Sequence, residues 1–207
     1  MSNVSNDKHT AILDAAHTLF GSSGFYETKM SDVAEKAGIA KGTVYLYFKS
    51  KEDLFMAVTR RDCEGYLQQL ENKLQNHTTF TDKLSVIAKH HMFYYYERKQ
   101  HTKLFFLAPN NNPELVAYMA LFMEQYMQAV VKVLLEGRAS EPELMAQSYI
   151  GMLDRLKMDI LFDPSFTEAD AFKRAKFAAS LFIKGAMNNL HPAEDDKENN
   201  IANEDIE

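Results

Sequence analysis

Along nearly the whole chain, apolar residues recur three and four positions apart, and no stretch alternates apolar with polar as a half-buried strand must. That period constrains the fold more than any other feature. Such stripes can be buried only against other helices, which predicts an all-α architecture. With 207 residues, 46% of them apolar and 25% charged, the chain can close a core and does not resemble a disordered one. No apolar run approaches the ~18–20 residues that span a bilayer. The opening MSNVSNDKHT has neither the basic start nor the apolar stretch of a secretory signal. No membrane partner is therefore expected, and a cytoplasmic location is. Cys63 is the only cysteine, so no intrachain disulfide can form, which fits a reducing compartment.

The formal charge of −6 would ordinarily argue against a nucleic-acid partner, but its placement removes the objection. Residues 1–60 balance Lys8, Lys29, Lys36, Lys41, Lys49, Lys51 and Arg60 against Asp7, Asp14, Glu27, Asp32, Glu35, Glu52 and Asp53. The stretch 192–207 sets Glu194, Asp195, Asp196, Glu198, Glu204, Asp205 and Glu207 against Lys197 alone, and so carries the whole excess. We read 191–207 as an acidic, disordered tail.

Punctuation between the stripes predicts about nine helices. Asn6 or Asp7 caps the first, whose inner face is Ile12, Ala16, Leu19 and Phe20 and which ends at the Gly21–Gly24 cluster. Thr28 caps a short second helix with Met30, Val33, Ala34 and Ala37 inside, and Gly38 closes it. A third short helix buries Val44 and Phe48. Ser50 and Asp53 form a capping box for a long connecting helix through Leu54, Val58, Leu67, Leu70 and Leu74. Later helices are expected over 81–99, with Leu84, Ile87, His91 and Tyr94 inside, and over 101–107. A long one runs from Pro113 to near Gly137, another from Pro142 to before Asp163, and a last from about Thr167 to Leu190. The last should bury Phe172, Ala175, Ala179, Phe182 and Ala186.

Two short helices joined by a glycine-containing turn describe a helix-turn-helix, here spanning 29–48. In such motifs the second helix offers its outer residues to base edges in the major groove. With Val44 and Phe48 turned inward, Lys41, Thr43, Tyr45 and Tyr47 are left outside. A tyrosine hydroxyl on a rigid ring can reach phosphate while the ring meets sugar or a thymine methyl. Lys51 adds a cation at the next helix start, where helix-end amides already favour an anion.

The run TKMSDVAEKAGIAKGTVYLYFKSKEDLF, from Thr28 to Phe55, together with Ile12–Ala16, Leu19–Phe20 and Gly24–Tyr26 before it, resembles the DNA-binding domain of TetR-family transcriptional regulators. The similarity covers about sixty residues; beyond Leu67 it is one of style only. Lys29 stands where the family more often has Ser or Thr. The resemblance implies a helix-turn-helix domain over 6–66 and a C-terminal domain over 67–190 for ligand binding and dimerisation. It further implies a homodimer that binds double-stranded, palindromic operator DNA and is released by a small-molecule effector. Carried over by position, Lys41, Gly42, Thr43, Tyr45, Leu46, Tyr47 and Lys51 face DNA. In this family the last two helices usually form the dimer interface, which Ala175, Ala178, Ala179, Gly185 and Ala186 would suit by close approach.

The cluster from His90 to Tyr96 invites a metal reading, but adjacent histidines point about 100° apart and no second ligand pair follows. No metal or cofactor is expected. Phe93, Tyr94, Phe105, Phe106, Tyr118, Phe122 and Tyr126, with several methionines, are candidate walls of an apolar ligand cavity, each more readily explained singly as core. No ligand-binding residue is assigned, and the effector is expected to be largely apolar. Two competing readings are an enzyme on a helical bundle, for which no nucleophile–base pair or phosphate-binding glycine loop is found, and a small-molecule-binding protein without DNA binding.

Overall fold

In a computed structural model, residues 2–100 and 112–189 are described, and they are helical almost throughout. Eight α-helices stand among them: α1 Ser2–Ser23, α2 Met30–Lys36, α3 Lys41–Tyr47, α4 Lys51–Gln75, α5 Phe80–Glu97, α6 Pro113–Glu136, α7 Pro142–Phe162 and α8 Glu168–Ala186, followed by a 3₁₀ turn Met187–Asn189. The helix expected over 101–107 and the acidic tail lie outside the described residues.

Local chemistry sets most boundaries. Thr79 and Thr167 each accept the amide of a residue three positions on, at 3.1 and 3.3 Å, and Asn112 accepts that of Glu114 at 2.9 Å with Pro113 at the first helical position. Gly38 takes φ +66° after α2, the left-handed conformation that costs a residue without Cβ little. Four expectations at helix boundaries need correction. α1 begins at Ser2, so Asn6 and Asp7 lie within it. Gly21 also falls inside α1, and only Gly24, at φ +91°, breaks it. Thr28 does not cap α2: its hydroxyl donates to the Gly24 carbonyl at 2.7 Å and closes the α1–α2 turn, while Lys29 holds the capping position. At α4 the Ser50 hydroxyl accepts the Asp53 amide as expected (3.1 Å), but the Asp53 carboxylate accepts the Lys49 amide rather than that of Ser50.

The apolar interior falls into two clusters. One gathers α1–α3 and the start of α4 around Ile12, Phe20, Val33, Val44, Phe48 and Leu54, with Leu115 of α6 reaching in. The other begins at Cys63 and fills the space between the rest of α4 and α5–α8. α4 runs through both. α8 turns Ala171, Ala175, Ala178 and Ala179 into the second cluster, buries Ala186 as well, and packs chiefly against α5. Its alanines thus serve packing within the subunit, and Phe172, expected inside, is half exposed. The helical phase explains the difference: the buried stripe passes through Ala171 and Ala175, one position before Phe172.

Candidate nucleic-acid interface and ligand cavity

α3 is seven residues long and is anchored from within its own sequence: Val44 and Phe48 are buried, against α1 and α2. Everything else on it faces outward to some degree. Lys41 and Gly42 are exposed and Thr43 is half-buried. Tyr45 is 44% and Leu46 84% exposed, unusual values for large apolar residues on so short a helix. Tyr47 is half-buried beside the His9 ring of α1, with centroids 6.0 Å apart, and His9 also packs on Phe48 at 5.3 Å. Lys51 stands apart from this set. Its ammonium donates to the Tyr26 carbonyl at 3.0 Å and lies 4.6 Å from the centre of the Phe25 ring. A lysine at a helix start opposes the dipole, and here its local role is to tie α4 to the loop before α2. His9 and Tyr26 escaped sequence reasoning because nothing in their spacing marks them.

Behind the first cluster, a cavity of about 400 Å³ opens between α4, α5, α6 and α7. That volume falls within the range of small-molecule sites. Phe55, Val58, Met119, Phe122, Met123 and Met158 give it apolar walls, and Tyr94 and Phe122 are the expected wall residues that line it. Phe105 and Phe106 lie outside the described residues. Tyr118 instead donates its hydroxyl to the Arg60 carbonyl at 3.2 Å, and Tyr126 is buried behind the wall. Four charged side chains also line the space, Asp62, Arg98, Asp154 and Lys157. A sequence signal for two of them exists: Ile150, Asp154, Lys157 and Leu161 form one i, i+4, i+7, i+11 row, with two charges amid an inward stripe.

A polar chain crosses the cavity floor. The Tyr66 hydroxyl lies 3.1 Å and the Tyr126 hydroxyl 3.3 Å from His91 Nδ1, while His91 Nε2 faces Asp154 Oδ1 at 3.5 Å. Lys157 donates to Asp154 at 2.5 Å and lies 4.1 Å from the centre of the Tyr95 ring. Burial, reinforced by the charge of Lys157, holds His91 neutral with its pKa lowered to about 4. Burial pushes Asp154 upward, but His91 and Lys157 outweigh it and hold the carboxyl at about 2. His90 points elsewhere, with Nε2 at 2.9 Å from the Tyr66 carbonyl and Nδ1 at 3.1 Å from Lys73. The two adjacent histidines therefore serve different partners. Cys63, also on the wall, is kept a thiol by burial, its pKa raised to about 12 with Asp62 and Glu64 adding to the effect.

These features define a helix-turn-helix protein with a separate internal ligand-sized cavity. Residues 12–58 match the family model of bacterial regulatory proteins, tetR family, so the helix-turn-helix segment is similar to the DNA-binding domain of that family. The chain is 34% identical over 84 residues to the fatty acid metabolism regulator protein of Bacillus subtilis, a match covering 40% of this chain and 43% of that one. It is 28% identical over 172 residues to the HTH-type transcriptional regulator YdgC of the same organism, covering 77% and 86%. The first curated relatives are thus matched over less than half their own length. Among solved structures, the fold superposes on the transcriptional regulator FadR from Bacillus subtilis in complex with stearoyl-CoA with a TM-score of 0.72, at 22% identity and covering 86% of this chain and 98% of that one. No described helix is long and apolar enough to cross a membrane.

Proposed function

We propose that this protein is a DNA-binding transcriptional regulator of the bacterial cytoplasm, acting as a homodimeric repressor. It reads a palindromic operator through paired α3 helices and leaves it when a small, largely apolar effector fills the cavity. The observation that carries this reading is the outer face of α3, where Tyr45 and Leu46 are held out in water by a helix whose other side is fixed by Val44 and Phe48. Burial does not account for them, whereas a major groove offers thymine methyls and phosphates to such side chains. Lys41, Gly42, Thr43 and Tyr47 complete the face. Lys51, with one donor on Tyr26, has two left for a phosphate at its edge.

For dimerisation, α7 and α8 leave Leu144, Phe162, Phe177 and Leu181 exposed, an apolar surface suited to a second copy. The effector reading rests on the cavity and is supported by the stearoyl-CoA of the FadR structure, a ligand with a long apolar chain. The decisive experiment is a gel shift with DNA flanking the protein's own gene. A retarded band that survives competitor DNA and disappears with Tyr45→Ala is expected; retardation equal on any sequence, or none, overturns the reading.

A further inference from the structure

Among the described residues, the cationic and hydroxyl donors that line the cavity have more unused capacity than its carboxylates, and the difference points to its ligand. Arg98, at the end of α5, carries five N–H donors, yet among the described residues its one hydrogen bond is to its chain neighbour Glu97 at 3.2 Å. The Glu97 side chain is 65% exposed, so water competes for that pair and holds it weakly. The Tyr95 ring lines the cavity, and its hydroxyl has no hydrogen-bond partner among the described residues. Lys157 uses one of three donors on Asp154.

Each cavity carboxylate already faces a partner of its own. Asp154 takes Lys157 and faces His91, and Asp62 lies 3.6 Å from His17 Nε2. The tyrosine faces that would draw a cation are taken as well. The Arg98 guanidinium sits 3.9 Å from the centre of the Tyr94 ring, and Lys157 occupies Tyr95. A cationic ligand would therefore meet two fixed cations and no unpaired carboxylate. A neutral apolar one would leave the donors unanswered.

We infer that the cavity takes an amphipathic anion, its apolar body against Met119, Phe122 and Met158 and its anionic oxygens on Arg98 and the Tyr95 hydroxyl. This rests on the effector reading given above and sharpens it from an apolar molecule to an apolar chain ending in a carboxylate or another oxyanion.

Decanoate, 1-decanol and decylamine share one chain and differ in head group. Each is titrated calorimetrically, below its aggregation concentration, into the full-length protein without DNA. Decanoate should bind at least about tenfold tighter than either of the others. Arg98→Gln should remove most of that preference while leaving decanol affinity within about twofold. Tyr95→Phe, a near-isosteric change that keeps the core filled, should reduce it by a smaller factor. Equal or tighter binding of decanol or decylamine, no saturable binding of decanoate, or a preference unchanged in both variants would overturn the inference. A parallel gel shift separates the two readings. If decanoate binds with the stated preference but leaves operator affinity unchanged, the effector reading fails and the anion site stands.

Discussion

Arg60 and Arg61, neighbours on α4, are held from opposite sides: Arg60 lies 2.9 Å from Glu114 at the start of α6, and Arg61 lies 2.6 Å from Asp14 of α1. One helix is thereby fastened to the reading head through one residue and to the cavity wall through the next. Each pair is open to water and should contribute no more than about 1 kcal/mol to folding. Their value lies in transmission.

Glu114→Gln should therefore leave operator affinity and melting temperature nearly unchanged while narrowing the difference in operator affinity with and without effector. That difference amounts to ~1–3 kcal/mol in typical coupled systems. The check is a pair of operator titrations, with and without saturating decanoate. A coupling equal to that of the parent would show that α6 acts on α4 by another route.

On the cavity floor, Tyr66→Phe removes the hydroxyl 3.1 Å from His91 Nδ1, but the Tyr126 hydroxyl remains at 3.3 Å. The single variant should cost about 1 kcal/mol, the lower end for a buried hydrogen bond. Tyr66→Phe with Tyr126→Phe leaves Nδ1 with neither hydroxyl, so the double variant should exceed the sum of the two singles by at least about 0.5 kcal/mol. Urea denaturation of the four proteins measures this directly.

Stability should rise with pH between about 4 and 6.5. His91 is buried neutral with its pKa lowered to about 4, so across that window the unfolded chain binds a proton that the folded one refuses. Protonation on unfolding then favours the unfolded state as pH falls from 6.5. The loss from His91 alone is on the order of 3 kcal/mol by pH 4. His90, also lowered to about 4 by burial and by Lys73, acts in the same direction. Asp154 contributes stability above its ordinary pKa of 3.8 that is lost only as pH drops toward 2, below the histidine window. Denaturation midpoints at pH 7.5, 6, 5 and 4.5 should fall in that order, and His91→Gln should flatten the slope.

The proposed DNA face separates into two kinds of residue. Tyr45→Ala and Leu46→Ala remove exposed side chains, so they should weaken operator binding with melting temperature unchanged to within about 1 °C. Lys51→Ala breaks the link to Tyr26 as well, so it should lower both. If the Lys51 ammonium pairs with a phosphate, Lys51→Ala should reduce the salt dependence of binding by about one unit of slope, and Leu46→Ala should not change it. Operator titrations over a range of salt distinguish the two.

Phe177→Glu with Leu181→Glu places two charges on the exposed side of α8. The variant should sediment as a folded monomer at micromolar concentration and should bind a full palindrome no more tightly than an operator half-site. A variant that remains dimeric would move the interface off this face.

The sequence made some elements readable and hid others for definable reasons. Pro113, Pro142 and Thr167 act on the backbone within one turn, so their helices begin where local chemistry places them. Val44 and Phe48 share a stripe, and they are buried as their spacing predicted, with Lys41, Tyr45 and Leu46 exposed around them. The start of α1 was not legible: Asn6 and Asp7 favour a cap by local propensity, yet α1 continues through them from Ser2. Ala175, Ala179 and Ala186 of α8 are buried as their spacing predicted, although such small side chains suit a partner helix and an internal one alike. Arg98 was hidden for another reason: it looks like a solvated surface charge until the fold turns the Tyr94 ring beneath it.

The division of the apolar interior into two clusters that meet on α4 also bears on how such a chain can evolve. Substitutions beyond Cys63 reshape most of the cavity, although Phe55 and Val58 of the first cluster also line it and Leu115 and Met119 of α6 reach that cluster. On the reading proposed, the head must go on fitting a double helix whose shape never changes, while the cavity is free to follow whatever metabolite its host encounters. Relatedness should then decay at two speeds along one polypeptide. Descent will be traced most readily through the first sixty residues, and changes of diet through the rest.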